Sequence, residues 1–287
     1  AHGAWLKSHA GALDRIARLG VMAEVEDDRL SPQIAQVQPE HLPDVRRSMT
    51  WEQCVSFARG SVAHAMGARS APIDQYPSRV RLPDEPLLLV HRVNLIEGDP
   101  CSMTHGRVVT EHDVRPDAWY LDQGAIPLAV SVEAGQADML LAGWLGIDFQ
   151  TKGLAYYRLL DAEVTFHSPR PRPGATMRHP PRLPGGKLAL LDRVPAIDPA
   201  GGEFGLGFIA AELNIDADDW HMVCHFVDDR VMPGTLMYEA CAQTLRVLMW
   251  RWGWLGEEGA WTAEPTPGIT SKLRCRALRL CNLDQIR

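Results

Sequence analysis

The segment Cys224-His225-Phe226-Val227-Asp228-Asp229-Arg230-Val231-Met232-Pro233-Gly234-Thr235, with Glu239 four residues beyond it, holds the side chains best suited to proton transfer. A neutral imidazole can accept a proton near neutral pH, and a carboxyl can supply one. The amides of Gly234 and Thr235 fall just past Pro233, in the first turn of an expected helix. There N–H groups lack partners at a positive helix end, so they can hold a carbonyl oxygen that gains charge during reaction. Each residue also has an ordinary structural role. A histidine in an apolar stretch is commonly a satisfied core residue, and an acid near a helix start commonly complements the helix dipole.

An internal repeat sets the elements that must position these groups. Arg81-Leu82-Pro83 and Arg92-Val93 recur as Arg182-Leu183-Pro184 and Arg193-Val194, an offset of 101, and Trp119 recurs as Trp220 at the same offset. Beyond the tryptophans the offset becomes 106, pairing Pro127 with Pro233 and Glu133 with Glu239. The second copy has therefore gained five residues within HMVCHFVDDRVM, the stretch that contains His225. Each copy reads as an extended segment, strand-like alternation, a proline-opened apolar helix (residues 127 to 145 and 233 to 252) and a further strand-like stretch, RLLDAEVTFHS or GITSKLRCRAL. Helices apolar nearly all round are expected to be wrapped by their own domain. The reading is α+β: a sheet curled around one central helix, present twice.

Upstream, residues 1 to 30 have amphipathic helical spacing, residues 31 to 48 read as a proline-containing loop, and residues 50 to 66 return to helical spacing with Thr50 as N-cap. The expected division is a helical leader or linker at 1–49, a first unit at 50–180 that lacks the histidine, and a second unit at 181–287 that carries it.

Composition removes several classes. Charged residues make up 23% of 287, with 29 Lys and Arg against 36 Asp and Glu, and a net charge of -7 gives no footprint for a phosphate backbone, so nucleic acid is not an expected partner. The six cysteines (54, 101, 224, 241, 275 and 281) show no Cys-x-x-Cys spacing and sit in generally apolar surroundings, which predicts buried thiols in a reducing compartment. No run of 18 apolar residues exists and the N-terminal stretch is not a signal peptide, so the expectation is a cytoplasmic protein without a membrane partner. The first residue is Ala, which points to a piece of a longer polypeptide. Gly205-Leu206-Gly207-Phe208-Ile209-Ala210 fits a dinucleotide fingerprint in letters only, because it alternates like a strand where a strand-to-helix turn is required. His221 and His225 lack a clear third metal ligand, and the serine-hydrolase elbow is absent.

Residues 182 to 253, with His225, Met232-Pro233-Gly234, Glu239 and Gln243 in order, resemble the hot-dog-fold beta-hydroxyacyl-acyl carrier protein dehydratases. Residues from about 50 to 178, including YPSRVRLPDEPLLLVHRV and SVEAGQAD, are similar to the dehydratase region of polyunsaturated fatty acid and polyketide synthases. The resemblance implies a double hot-dog that converts 3-hydroxyacyl thioesters to trans-2-enoyl thioesters. It implies His225 as base, Gly234 and Thr235 binding the thioester oxygen, and Gln243 in support. Acyl chains would arrive on the phosphopantetheine arm of an acyl carrier protein, with no metal, nicotinamide or flavin.

In such folds the histidine of one unit faces an acid on the central helix of the other. That pairs His225 with Glu133 and leaves Glu239 facing a site that has lost its histidine, whereas the family motif alone would name Glu239. Asp138 lies further along the same helix as Glu133. Expected partners are a carrier domain, other synthase domains and a second copy of the chain. Arg170, Arg172, Arg178 and Arg182 read as a solvated linker or a landing site for an acidic carrier domain. Trp250, Trp252 and Trp254 read as helix-end packing or the far wall of an acyl tunnel. Few residues separate the first unit's last strand from the second unit, so strands of the full pattern are expected to be short or absent from the sequence. The competing functions are a non-catalytic hot-dog module that binds or scaffolds carrier domains and, less well matched by the motif order, a thioesterase.

Overall fold

The computed structural model describes residues 43–122, 124–158, 161–167, 182–253 and 270–276, the segments 161–167 and 270–276 by backbone alone. The expected leader helix, Arg170, Arg172, Arg178, Trp254, Cys275 and Cys281 lie outside what is described at side-chain level. Among the described residues, helices α1 (Trp51–Arg59) and α2 (Val62–Met66) come first, followed by a 3-10 segment (Ala68–Gln75), β1 (Arg92–Glu97) and β2 (Arg107–Glu111). Next come α3 (Leu128–Gly135), α4 (Asp138–Trp144), α5 (Ile147–Thr151) and β3 (Asp161–His167). The second half has a short 3-10 turn (Gly186–Leu188), β4 (Arg193–Asp198), β5 (Phe208–Glu212), α6 (Trp220–Cys224), α7 (Gly234–Arg251) and β6 (Thr270–Arg276).

The architecture is α+β with antiparallel ladders. The described strands form three two-stranded ladders, β1-β2, β4-β5 and β3-β6. The two hairpins keep the offset read from the sequence: Arg92 pairs with Glu111 and Arg193 with Glu212, each followed by an irregularity in register. β3 and β6 join the halves directly, with Asp161 opposite Arg276 and His167 opposite Thr270.

Local chemistry explains where the helices begin and stop. Thr50 precedes α1, and the Gln53 side chain takes its amide at 2.9 Å, the reciprocal half of a capping box. The helix expected across residues 50 to 66 is broken at Gly60-Ser61, where Ser61 caps α2 through the His64 amide at 3.0 Å. The helix expected from 127 to 145 is also interrupted. Gly135 ends α3, Gln136 leaves helical geometry (φ -83, ψ 83), and Asp138 opens α4. At the equivalent positions α7 carries Cys241 and Ala242 and runs on unbroken for 18 residues, since a mid-helix glycine costs roughly 1 kcal/mol relative to alanine.

Two cores result. One packs Phe57, Val62, Ile73 and Val80 against Val93, Ile96, Leu140 and Trp144 within the first half. The other is shared: Leu87 and Leu89 lie with their equivalents Leu188 and Leu190, joined by Val130, Met222 and Leu236. Trp119 meets Trp220 edge to face at 5.0 Å. Burying each such leucine contributes about 1.5–3 kcal/mol, so the halves hold one another together. The hairpins differ in cover, because α1 packs on β1 whereas Val194 and Ile197 on β4 are each 36% exposed, against 1% and 0% for Val93 and Ile96. The expectation of buried thiols holds for Cys54 and Cys224 but not for Cys101 and Cys241, which are exposed. Among the described residues no helix is long and apolar enough to cross a membrane.

Candidate active site

His225 sits immediately after α6, on the loop that leads to α7. The short helix α6 was not expected from the sequence; it is fixed by the Asp84 amide donating to the Cys224 carbonyl at 2.8 Å. The loop closes on itself. Val231 donates its amide to the His225 carbonyl at 2.8 Å, and Phe226 and Asp229 exchange backbone bonds at 2.8 and 3.2 Å. His225 Nδ1 lies 2.9 Å from the Val231 carbonyl, which can only accept, so Nδ1 carries the proton and Nε2 keeps its lone pair. The imidazole is closely surrounded yet retains some open surface. Loss of hydration lowers its pKa to about 4, so it is neutral at physiological pH.

The first turn of α7 supplies the second part. Leu236 and Met237 donate to the Pro233 carbonyl, while no acceptor among the described residues takes the amides of Gly234 and Thr235. A Cβ added at Gly234 would meet nothing within 4 Å, so the space beside its Cα is open. These are the free donors that an 18-residue helix leaves at its positive end.

Glu133, in the last turn of α3, reaches this helix start. Its carboxylate accepts a hydrogen bond from the Thr235 hydroxyl. The side chain is 5% exposed, and burial raises its pKa to about 7, opposed by the Thr235 hydrogen bond and assisted by Asp138. Near neutral pH Glu133 thus exists in both protonation states, as an acid that must give up a proton requires.

Asp138 is the residue the sequence placed least well. On an unbroken helix, five residues at 100° each would carry it well round from Glu133. The break at Gly135 to Ala137 instead starts a new helix at Asp138, whose carboxyl is close enough to His225 and to Glu133 to interact with both charges. Its pKa is raised, first by loss of hydration, although part of the residue is open to solvent.

Glu239 and Gln243 lie elsewhere. Gln243 Nε2 donates to Glu239 Oε1 at 3.0 Å and to the Leu188 carbonyl at 2.9 Å, and both residues are buried. The charges felt by Glu239 are those of Arg246 and Asp122, an ion pair 2.8 Å apart, and not that of His225. The structure therefore gathers His225, Thr235, Glu133 and Asp138, with Gly234 beside them, and holds Glu239 and Gln243 apart.

A separate cavity of about 600 Å³ is lined by Trp51, Leu89, His91, His112, Trp119 and Tyr120 among others, and by none of His225, Glu133, Asp138, Gly234, Thr235, Glu239 or Gln243. His91 and His112 face each other at 2.9 Å between their Nδ1 atoms, and Tyr120 bonds His112. No sequence motif marks this group, because His91 and His112 meet only through the β1-β2 hairpin. The Arg182 carbonyl accepts weakly from Arg246, and Trp252 bonds the Pro199 carbonyl, in keeping with helix-end packing.

Residues 183–279 match the FabA-like domain family. This FabA-like segment holds α6, the histidine loop and α7, about a third of the chain. The chain is also similar to a curated relative, one of the subunits of the polyunsaturated fatty acid synthase from Thraustochytrium sp. (strain ATCC 26185 / S-3), at 28% identity over 341 residues. The alignment covers 79% of this chain and 22% of the relative, so the chain spans about a fifth of that protein's length. The resemblance to the dehydratase region of such synthases, drawn from the FabA-like motif and the first-half segments, is borne out. Since 79% of 287 residues is about 227, at least about 114 of the 341 aligned positions face gaps in this chain.

Proposed function

We propose that the chain is a double hot-dog dehydratase, a hydro-lyase acting on 3-hydroxyacyl thioesters within a cytoplasmic synthase of the polyunsaturated fatty acid or polyketide kind. The observation that carries this reading is the protonation pattern: an imidazole fixed neutral with Nε2 free, and a carboxyl whose pKa is about 7 bonded to Thr235 at the start of the helix that follows the imidazole's loop, where amides are unused. In the proposed step the thioester oxygen accepts from the Gly234 amide, with Thr235 adjacent, which acidifies the α carbon. His225 Nε2 takes the α proton, the α,β double bond forms, and the β hydroxyl leaves as water with the proton of Glu133. The proton on His225 then returns to Glu133, and both residues are restored. The step balances with these groups alone and draws on no metal, nicotinamide or flavin; the phosphopantetheine arm of an acyl carrier protein would deliver the substrate. Carrier and other synthase domains, and a second copy of the chain, are the partners this reading implies.

The measurement is the enoyl thioester absorbance produced from a 3-hydroxyacyl thioester. His225→Ala is expected to lower kcat by about 10²–10⁴-fold, the usual worth of a general base, with the fold retained by circular dichroism. A second reading is a non-catalytic module that binds carrier domains, favoured by the gaps opposite the synthase relative. Folded native protein with no His225-dependent signal would overturn the dehydratase reading and leave that alternative standing.

A further inference from the structure

The loop that carries His225 is fastened from the other half of the molecule. Asp228 and Asp229 belong to the stretch that the second half has gained, and each meets an arginine of the first half. Arg81 Nε donates to Asp228 Oδ2 at 3.2 Å. The same guanidinium, 3% exposed, also donates to the carbonyls of Phe57 and Gly60 at 3.1 and 2.9 Å, so it is fixed against the first core. Arg158 grips Asp229 with two parallel bonds, one of them 2.7 Å, and donates to the Tyr157 carbonyl at 2.8 Å. Both members of this second pair are largely buried. A two-bond fork of this kind fixes orientation as well as distance.

We propose that Arg158 and Asp229 form a positioning pair that sets both the placement and the charge environment of His225, with the Arg81–Asp228 contact as its geometric partner. None of the four is a catalytic residue, because each acts through the loop. The inference rests on the dehydratase reading for its kinetic consequences only; the titration of His225 can be followed without any reaction.

The charged and titratable groups that face His225 come from three elements and the loop: Arg158 after α5, Asp138 at the start of α4, His221 on α6 and Asp229 on the loop itself. Arg158 pushes the imidazole pKa down and Asp229 pushes it up, so within the intact pair the two charges oppose each other. Removing one member leaves the other's charge uncompensated beside the ring. Arg158→Gln should therefore raise the pKa of His225 and move the acid limb of kcat/KM to higher pH. Asp229→Asn should do the reverse, and the double variant should titrate close to native protein. A side chain that merely braced the fold would not give opposite shifts from its two partners.

The test is the NMR titration of His225 in the full chain, with kinetics of the three variants and of Asp228→Ala. Expected are shifts of opposite sign in the single variants and recovery in the double. Kcat should fall about 10–100-fold where the loop is loosened, the scale on which a 1 Å misplacement acts. Asp228→Ala should lower kcat without moving either limb. Breaking a buried pair from one side can unfold a protein, whereas replacing both members is often tolerated. If Arg158→Gln does not fold, Asp229→Asn against the double variant decides. Shifts of the same sign, or no shift in a folded Asp229→Asn protein, would overturn the proposal. Opposite NMR shifts in a protein with no dehydratase activity would uphold the pair and sink the reaction assigned to it.

Discussion

The two carboxyls Glu133 and Glu239 occupy equivalent places on α3 and α7, yet their surroundings have diverged. Around Glu133 lie a hydroxyl donor, the free amides of a helix start and an imidazole loop; around Glu239 lie a carboxamide, a backbone carbonyl's partner and a distant ion pair. At the offset of 106, Thr235 corresponds to Ala129, which has no hydroxyl, and Gln243 corresponds to Ala137. The first half also lacks the five residues that would bring a histidine. Burial raises both carboxyls, so the shift itself does not distinguish them. What distinguishes them is whether the carboxyl meets a helix start next to the histidine loop or only a structural partner.

The sharpest way to break this comparison is to neutralise each carboxyl in turn. Glu133→Gln is expected to lower kcat by about 10²–10⁴-fold, the range for a general acid. Glu239→Gln should cost less than about tenfold, because an amide can still accept from Gln243 and the net effect of replacing one hydrogen bond is about 1 kcal/mol. The readout is steady-state formation of the enoyl thioester, with folding checked for each protein. The opposite ranking would move the working acid to Glu239.

A smaller effect follows from protonation. His225 must be neutral to act as base, so kcat/KM should rise as pH increases through about 4; Glu133 must be protonated to act as acid, so the rate should fall as pH passes about 7. Glu133→Gln should remove the upper limb from whatever rate remains, and Glu239→Gln should leave it in place. A pH–rate profile of the three proteins checks this, and an upper limb that survives Glu133→Gln would assign it to Asp138.

Much of this arrangement is legible in the sequence for a simple reason: repeats and proline-opened helices are local patterns. The offset of 101 reappears as the matched pairing of Arg92 with Glu111 and of Arg193 with Glu212. The offset of 106 reappears in the starts of α3 and α7 at Leu128 and Gly234. Other features have no local signature. The break after Gly135 falls at a glycine in an otherwise helical run, and it lets a new helix start at Asp138, whose carboxyl interacts with His225. The contacts of Arg81 with Asp228 and of Arg158 with Asp229 join residues 147 and 71 positions apart. Ion pairs at such separations leave no period to read, and they form where the two halves meet, through the shared core and the β3-β6 ladder.

The smallest expected effect isolates the hydroxyl that one site has and the other lacks. Thr235 donates to the charged form of Glu133 and so lowers its pKa against the larger effect of burial. Thr235→Val keeps the branched shape and removes the donor. Without that bond the protonated form of Glu133 persists to higher pH, and the upper limb of the profile should move upward by about one unit or less, equivalent to at most about 1.4 kcal/mol. Ala129→Thr, the mirror change, adds a hydroxyl where no imidazole loop exists and should leave the profile unmoved. A downward shift in Thr235→Val would mean that the hydroxyl serves the neutral acid instead, and the distinction drawn between the two carboxyls would then rest on the histidine loop alone.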